Sequence, residues 1–246
     1  MTHNTKLFIL SPPLTTAQFS VPVGHHVNIR TVIEDTEILR PYTPVTDLNN
    51  DADGDTSLRF LIKIYPDGAV TPGLGRLRPG DLVSISDHLG SFSMTQIPGS
   101  GSVTLLAAGT GITPMVAILT SLRARKQRPQ LRLITFDRSP EDIIWKDQVG
   151  LLAISDCDIF TEFPCQLAVF QYKNSDWVSV THVVTSPSEG WDGETGRISE
   201  DILRKYIGDN KTWVGLCGPP GFNREAVRLL KLVRQLETEH IHVFEG

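Results

Sequence analysis

The chain is 246 residues long, 40% hydrophobic and 21% charged, with a formal net charge of -5. That length holds two modest domains, each able to bury a core, and the composition is that of a globular chain rather than a disordered or fibrous one. The acidic balance excludes general nucleic-acid binding, which needs a basic footprint.

The chain opens with Leu7 to Leu10 as its only early apolar run, followed at once by Ser11-Pro12-Pro13. This is too short for a signal h-region or a membrane span, and no later stretch supplies a transmembrane helix. Thr2 rather than Gly follows Met1, so the myristoylation pattern is missing. The three cysteines, Cys157, Cys165 and Cys217, have no metal-ligand spacing and leave an odd thiol under any pairing, which fits a reducing compartment. The expectation is a soluble, cytoplasmic chain, with peripheral attachment to a membrane such as the endoplasmic reticulum left open through a partner.

Up to about residue 96 the pattern is short apolar alternation, as in Leu58 to Ile64, punctuated by Asn, Asp, Gly and Pro. Such spacing predicts an antiparallel β barrel. His25 and His26 are adjacent on a predicted strand and point to opposite faces, which argues against joint metal binding. Asn49 to Asp55 reads as a solvated hairpin turn, since it lacks the spacing and terminal Glu of a calcium loop. No metal site is predicted. Pro98-Gly99-Ser100-Gly101 reads as a linker, dividing the chain into a barrel domain, 1–97, and a second domain, 102–246.

Beyond the linker, strands and helices alternate. Ser102 to Ala108 is a strand; Pro114 to Arg125 is a helix with Thr113 as its N-cap and Pro114 at the first helical position. Leu131 to Phe136 and His182 to Thr185 are strands, Ser199 caps a helix through Tyr206, Thr212 to Leu216 is a strand, and Phe222 to Leu236 is a helix. Phe222, Ala226, Leu229, Leu230, Val233 and Leu236 give that last helix one apolar stripe. The alternation predicts an α/β domain, a parallel sheet with helices on both faces.

Four segments carry chemistry. Arg40-Pro41-Tyr42-Thr43-Pro44-Val45-Thr46 combines a fork-shaped cation matched to phosphate oxygens with ring and hydroxyl groups alternating along a strand. Read alone, it is better taken as an exposed strand and turn. Gly68-Ala69-Val70-Thr71-Pro72 is a tight turn that starts a short helix, and Lys63 and Tyr65 before it share one face of a strand. Gly109-Thr110-Gly111 ends a strand and opens a helix, as a nucleotide-binding turn does, although Pro114 stands where a full dinucleotide fingerprint has its third glycine. Cys217-Gly218-Pro219-Pro220-Gly221 closes a later parallel strand.

In this order the four segments resemble the ferredoxin reductase superfamily and, within it, the NADH-cytochrome b5 reductases. The likeness is closest to the flavin domain of the fused cytochrome b5/b5 reductase branch, with Leu61 to Pro66 and Glu141 to Trp145 adding to it. The resemblance implies an FAD-binding barrel followed by a parallel-sheet NAD(P)H-binding domain. Arg40 would hold the FAD pyrophosphate, with Tyr42, Thr43 and Thr46 completing the motif along the isoalloxazine. Gly68, Ala69, Val70 and Thr71 would approach the pyrophosphate, where the first helical N–H groups are free. Lys63 and Tyr65 would face the reduced nicotinamide nucleotide, a solvated lysine being nearly as good a reading of the former. Gly109, Thr110, Gly111 and Pro114 would form the nucleotide turn, with Thr110 beside the flavin N5 and nicotinamide C4, where its contribution is orientation. Cys217, Gly218 and Pro219 would bound the nicotinamide pocket, Cys217 as a small buried thiol and not a nucleophile. Phe244 would pack over the flavin, a core contact being at least as good a reading.

Asp137 and Arg138, after the second strand, conflict: an acid there accepts ribose hydroxyls, whereas an arginine accommodates a 2′-phosphate. The resemblance favours NADH and leaves NADPH open. Its implied reaction is hydride transfer from NAD(P)H to FAD and single-electron transfer to a haem acceptor, cytochrome b5 or a cytochrome b5-like haem domain. The basic run Arg123 to Arg128 would dock an acidic cytochrome b5, or is simply a solvated helix end that complements the helix dipole. The rival readings are a related reductase serving an iron-sulfur acceptor, and a flavin-free interaction module. Three departures stand out. The family's first barrel strand has no counterpart before Lys6, Ala108 replaces a usual glycine, and Cys157 to Val178 is longer than the family's connection. That segment reads as an inserted surface loop or retained intron sequence without a function of its own. Oligomeric state is not legible.

Overall fold

The computed structural model describes residues 2–12, 19–33, 35–45, 57–123, 125–146, 177–208 and 211–245. Thr46, the Asn49 to Asp55 turn, and Cys157 and Cys165 with most of the predicted insertion lie outside the described residues.

The first half is antiparallel. β1 (Thr5–Leu10) pairs with β4 (Leu58–Lys63), and β2 (Val27–Ile33) lies between β3 (Thr36–Tyr42) and β5 (Ser84–Ile85). Among the described residues the expected barrel is therefore two antiparallel sheets, joined where the Val45 N–H donates to the Arg59 carbonyl at 2.7 Å. Side chains alternate across β4, and both of its faces are covered. Leu58, Phe60 and Ile62 enter a core with Val27, Ile29, Val70 and Leu74, the last from the short helix α1 (Thr71–Gly75).

The second half is a six-stranded parallel sheet in the order β11-β10-β6-β7-β8-β9. Its strands are β6 (Ser102–Ala108), β7 (Gln130–Asp137), β8 (Val178–Val184), β9 (Glu194–Thr195), β10 (Trp213–Cys217) and β11 (Ile241–Val243). Helix α2 (Ile112–Arg123) covers one face; α3 (Glu200–Tyr206) and α4 (Pro220–Arg234) cover the other. Trp177 and Val178, which close the segment read as an insertion, belong to the core: Trp177 is buried and its carbonyl accepts from the Leu131 N–H at 2.7 Å.

The helix ends show where local pattern and packing part. Ser199 caps α3 as the sequence predicts, its Oγ accepting from the Ile202 N–H at 3.4 Å. Thr113 does not cap α2. A 3-10 turn over Gly109–Gly111 runs straight into the helix and satisfies its first N–H groups, so Thr113 sits inside the first turn and donates to the Thr110 carbonyl at 3.1 Å. Helix α4 ends at Arg234 because Gln235 turns left-handed at φ 52°, and Leu236 reaches the core from beyond the helix. On α4, Ala226, Leu229, Leu230 and Val233 form the buried stripe.

Almost every residue of α2 is buried, because it is packed on both sides. One side meets β6 and β7, and Val45, Leu61, Phe92 and Ile97 of the first half share its core. A helix apolar all round is one enclosed by two layers, and here the second layer is the preceding half of the chain. The two halves are thus joined through one continuous core. No helix among the described residues is long and apolar enough to cross a membrane.

Candidate functional site

The order of the parallel sheet fixes where a ligand would sit. From β6 the chain builds β7, β8 and β9 to one side, then β10 and β11 to the other. The direction reverses between β6 and β10, so a crevice opens beyond their carboxyl ends. Its walls touch backbone to backbone: a Cβ placed on Gly111 would lie 2.2 Å from the Cys217 carbonyl oxygen. Ala108, the departure from the family pattern, fits because Gly218 faces it; a Cβ on Gly218 would come within 2.7 Å of the Ala108 methyl carbon.

The crevice continues onto the first half as a cleft of ≈ 1320 Å³. That exceeds the usual volume for one small ligand and suits two nucleotides lying against each other. From the first half it is lined by Arg40, Tyr42 and Thr43, by Lys63 and Tyr65, and by Gly68, Ala69, Val70 and Thr71. The second half contributes Gly109, Thr110, Gly111, Asp137, Cys217, Gly218 and Pro219. Sequence segments far apart in the chain therefore converge on one concavity.

Three details define its chemistry on the first-half side. Arg40 is exposed and has no carboxylate partner among the described residues; one of its N–H groups donates to the Leu39 carbonyl at 2.9 Å. Thr43 is 5% exposed, and its buried Oγ1 has no hydrogen-bond partner among the described residues. Such orphan hydroxyls are uncommon, and this one lies on the cleft wall. Thr71, by contrast, spends its hydroxyl on the loop: it accepts from the Tyr65 N–H at 3.0 Å and donates to the Tyr65 carbonyl at 3.2 Å, closing the turn through Gly68. Burial raises the Tyr42 phenol above its ordinary pKa, with Arg40 opposing it, so the ring is a neutral hydrogen-bonding group.

On the other side, Lys63 is not a free lysine. Its Nζ lies 3.0 Å from Asp142 Oδ1, with the two side chains 15% and 12% exposed, and Asp142 Oδ2 accepts from the Ser139 hydroxyl at 3.0 Å. Burial alone would raise the Asp142 carboxyl, but the hydrogen bonds from Lys63 and Ser139 outweigh it and hold the group below its ordinary value. Asp137 behaves in the opposite way. Burial pushes its carboxyl up to about 7, against a hydrogen bond with Thr135 and the Lys63 charge. Burial likewise pushes the Cys217 thiol, 1% exposed, up to about 12, so it stays protonated.

Two expected site residues do not reach the cleft. Pro114 is buried in the first turn of α2. Phe244 is 1% exposed in the core, with Phe92 and His242 at ring distances of 4.9 and 4.5 Å, and its N–H donates to the Leu216 carbonyl at 2.8 Å. The basic run after α2 lies at the far end of a 12-residue helix that starts at the cleft, roughly 18 Å away at the usual rise. There Arg125 donates to the Met94 carbonyl at 2.6 Å and Arg128 stacks on Trp177. Sequence reasoning gave no role to Asp142, Thr185, Ser186 or Arg197. The last three line the cleft just past β8 and β9, and the rule that ligands gather beyond parallel strand ends would have found them.

Comparison with known proteins agrees with this geometry. The oxidoreductase FAD-binding domain family matches residues 1–94, and the oxidoreductase NAD-binding domain family matches residues 105–228. Cytochrome b5 reductase 4 of Homo sapiens is 36% identical over 255 residues, covering 99% of this chain and 45% of the relative. NADH-cytochrome b5 reductase 1 of Debaryomyces hansenii is 30% identical over 224 residues, covering 89% of this chain and 70% of the relative. The solved CS-b5R domains of human Ncb5or, in the NAD+ form, superpose with a TM-score of 0.80 at 34% identity, over 99% of this chain and 66% of that one. The chain spans about half the length of the first of these relatives.

Proposed function

Because the chain belongs to the NADH-cytochrome b5 reductase family, we propose that its cleft brings NADH against FAD and that electrons leave singly for a haem acceptor such as cytochrome b5. The observation that carries this reading is the buried, unpartnered Thr43 hydroxyl in the same cleft as the Gly109-Thr110-Gly111 turn. A cofactor edge gives that hydroxyl the partner it lacks, and the exposed Arg40 fork suits a pyrophosphate beside it. FAD, once bound, supplies the redox chemistry: it takes a hydride from the dihydronicotinamide and releases electrons one at a time.

The residues around it position and enclose. Arg40 holds phosphate; Tyr42 and Thr43 hydrogen-bond along the ring edge, with Thr46 completing the motif. Gly68, Ala69 and Val70 let backbone approach the pyrophosphate, with Thr71 shaping their loop. Gly109 and Gly111 would do the same for the nucleotide, and Thr110 would orient the nicotinamide, since hydride transfer needs reacting atoms about 3 to 3.5 Å apart. Lys63 is fixed by Asp142 and presents a positive charge toward the nucleotide, next to Tyr65. Cys217, neutral and buried, makes with Gly218 and Pro219 a dry wall that keeps water from the transferring hydride. No acid-base pair or nucleophile is required.

The acceptor would dock at the mouth of the cleft, not on the basic end of α2, which stands a helix length away. The same reading puts the protein in the cytoplasm, peripheral to an endoplasmic reticulum surface. An anaerobic NADH titration of the FAD-loaded protein, followed at the visible flavin band and then challenged with oxidised cytochrome b5, tests it. Bleaching by one equivalent of NADH and reduction of the cytochrome support the reading. A folded protein that fails to bind added FAD overturns it, and transfer to ferredoxin in place of cytochrome b5 overturns the choice of acceptor.

A further inference from the structure

Two histidines far apart in sequence face each other on the surface of the first half, and neither lines the cleft. His26 and Leu89 form an antiparallel bridge, each N–H donating to the other's carbonyl, at 2.9 and 2.7 Å. His26 itself turns inward and is buried, with Glu245 Oε2 at 3.8 Å. His25 therefore points to the opposite face, where His88 is its diagonal neighbour across the bridge. Gly90 clears the way: a Cβ there would lie 3.1 Å from His25 Cγ, and its φ of 140° is one that side chains rarely adopt. The two Nδ1 atoms stand 3.2 Å apart, with ring centroids at 5.2 Å and planes inclined by 62°.

That is the spacing of two ligands on one tetrahedral metal ion. Imidazole nitrogens about 2.0 to 2.1 Å from a zinc ion, at the tetrahedral angle, stand about 3.3 Å from each other. His25 is also oriented as a ligand is. Its Nε2 lies 3.0 Å from the Phe92 carbonyl oxygen, which can only accept, so the ring proton sits on Nε2 and the Nδ1 lone pair faces His88. A proton on His88 Nδ1 would fill the same gap, and metal titration separates the two. No third His, Cys, Asp or Glu joins the pair among the described residues, which leaves two positions of the tetrahedron to water. Imidazole donors select zinc-like ions over magnesium or calcium. We propose that His25 and His88 bind one Zn2+ ion outside the cleft. The ion also braces the two halves. Gly24, next to His25, is pressed against Phe92, and Phe92 packs on Trp213, His242 and Phe244 of the second half at centroid distances of 6.0, 5.1 and 4.9 Å. Tying His25 to His88 clamps the loop that carries Phe92 into that cluster.

Calorimetric titration of the full chain with ZnCl2, in buffer free of chelators, reads the site directly, with MgCl2 as the control cation. One equivalent of zinc should bind saturably and raise the melting temperature, while magnesium does neither. His88→Gln should weaken zinc binding roughly tenfold or more and cancel the rise. Its zinc-free melting temperature should match the parent's, because His88 is exposed. His25→Gln should lose binding likewise, and His3→Gln, an exposed histidine elsewhere, should keep it. Absence of saturable zinc binding overturns the proposal, as does binding that survives His88→Gln undiminished or that magnesium matches. The result is independent of the flavin reading: neither histidine lines the cleft, so the chain should take up zinc alike with and without FAD.

Discussion

Lys63 Nζ lies 3.0 Å from Asp142 Oδ1, tying strand β4 of the first half to the segment that follows β7 of the second. Seventy-nine residues separate them, and both side chains are mostly withdrawn from water. The pair is thus a point where the two halves hold each other at the edge of the cleft.

Breaking it from one side strands a charge. Lys63→Met or Asp142→Leu alone should each cost about 2 to 3 kcal/mol, below the full penalty for a completely buried pair because both groups keep some solvent. The double variant should cost less than the sum, since it leaves no lone charge. Urea unfolding of the four proteins gives the cycle, and strictly additive losses would show that the two groups do not stabilise each other.

Thr43→Val removes an orphan hydroxyl at constant shape. Without cofactor, the protein should hold its stability or gain about 1 kcal/mol, while FAD should bind several-fold more weakly; Thr43→Ser should stay near the parent. Arg40→Ala should weaken FAD retention by roughly 1.5 to 3 kcal/mol, the scale of a hydrogen bond to a charged group. Quenching of FAD fluorescence on titration into the apoprotein reads all three. Unchanged affinity in Arg40→Ala would remove Arg40 from the site.

Cys217 should be inert. With its thiol pushed up to about 12 and 1% exposed, iodoacetamide at pH 8 should leave it unlabelled in the folded protein and label it in urea. Cys217→Ala should slow hydride transfer by no more than about tenfold, as expected for a positioning wall rather than a nucleophile. Peptide mapping and stopped-flow bleaching of the flavin check the two halves of this statement. Rapid native alkylation would contradict it.

Asp137 gives the stability a pH signature. Burial carries its carboxyl from an ordinary 3.8 up to about 7, so between these values the folded chain holds a proton that the unfolded chain has released. Its contribution is complete below about pH 4 and is lost as pH rises through 7. Asn stays neutral throughout. Asp137→Asn should therefore gain on the parent steadily from pH 4 to 7 and hold a lead of about 1 to 2 kcal/mol at pH 8, reduced from the full shift by partial solvent contact. Melting of both proteins across that range measures it, and a lead that does not grow with pH would refute the assignment.

The strands were legible wherever burial on both faces leaves a continuous apolar run: Ser102 to Ala108 reads from sequence as it is found. The α3 cap was equally plain, because Ser199 acts locally. Thr113 misled, since the 3-10 turn before it does the capping and no side-chain pattern announces such a turn. Thr110 and Cys217 could be read because parallel sheets gather their strand ends, whereas Arg40 and Lys63 reach the same concavity from antiparallel strands of the first half and were found only through the resemblance. The Lys63 to Asp142 pair was not legible, being a contact between distant segments. Of the two readings of Phe244 the core contact is the one found; the sequence could not choose between them because its place depends on β11 lying beside β10, and a three-residue strand carries no periodicity. Arg197 follows a two-residue strand and was hidden for the same reason.

The carbonyl of Cys217 pressed against Gly111 has an evolutionary corollary. Two turns in such close apposition cannot drift separately; lengthening one would collide with the other, so this end of the crevice is frozen as a unit. The loops past β7, β8 and β9 meet through a few hydrogen bonds and carry the exposed Arg138 and Arg197, and they can exchange such side chains one at a time. The side chains of that distal rim can then vary while the apposed turns stay as they are.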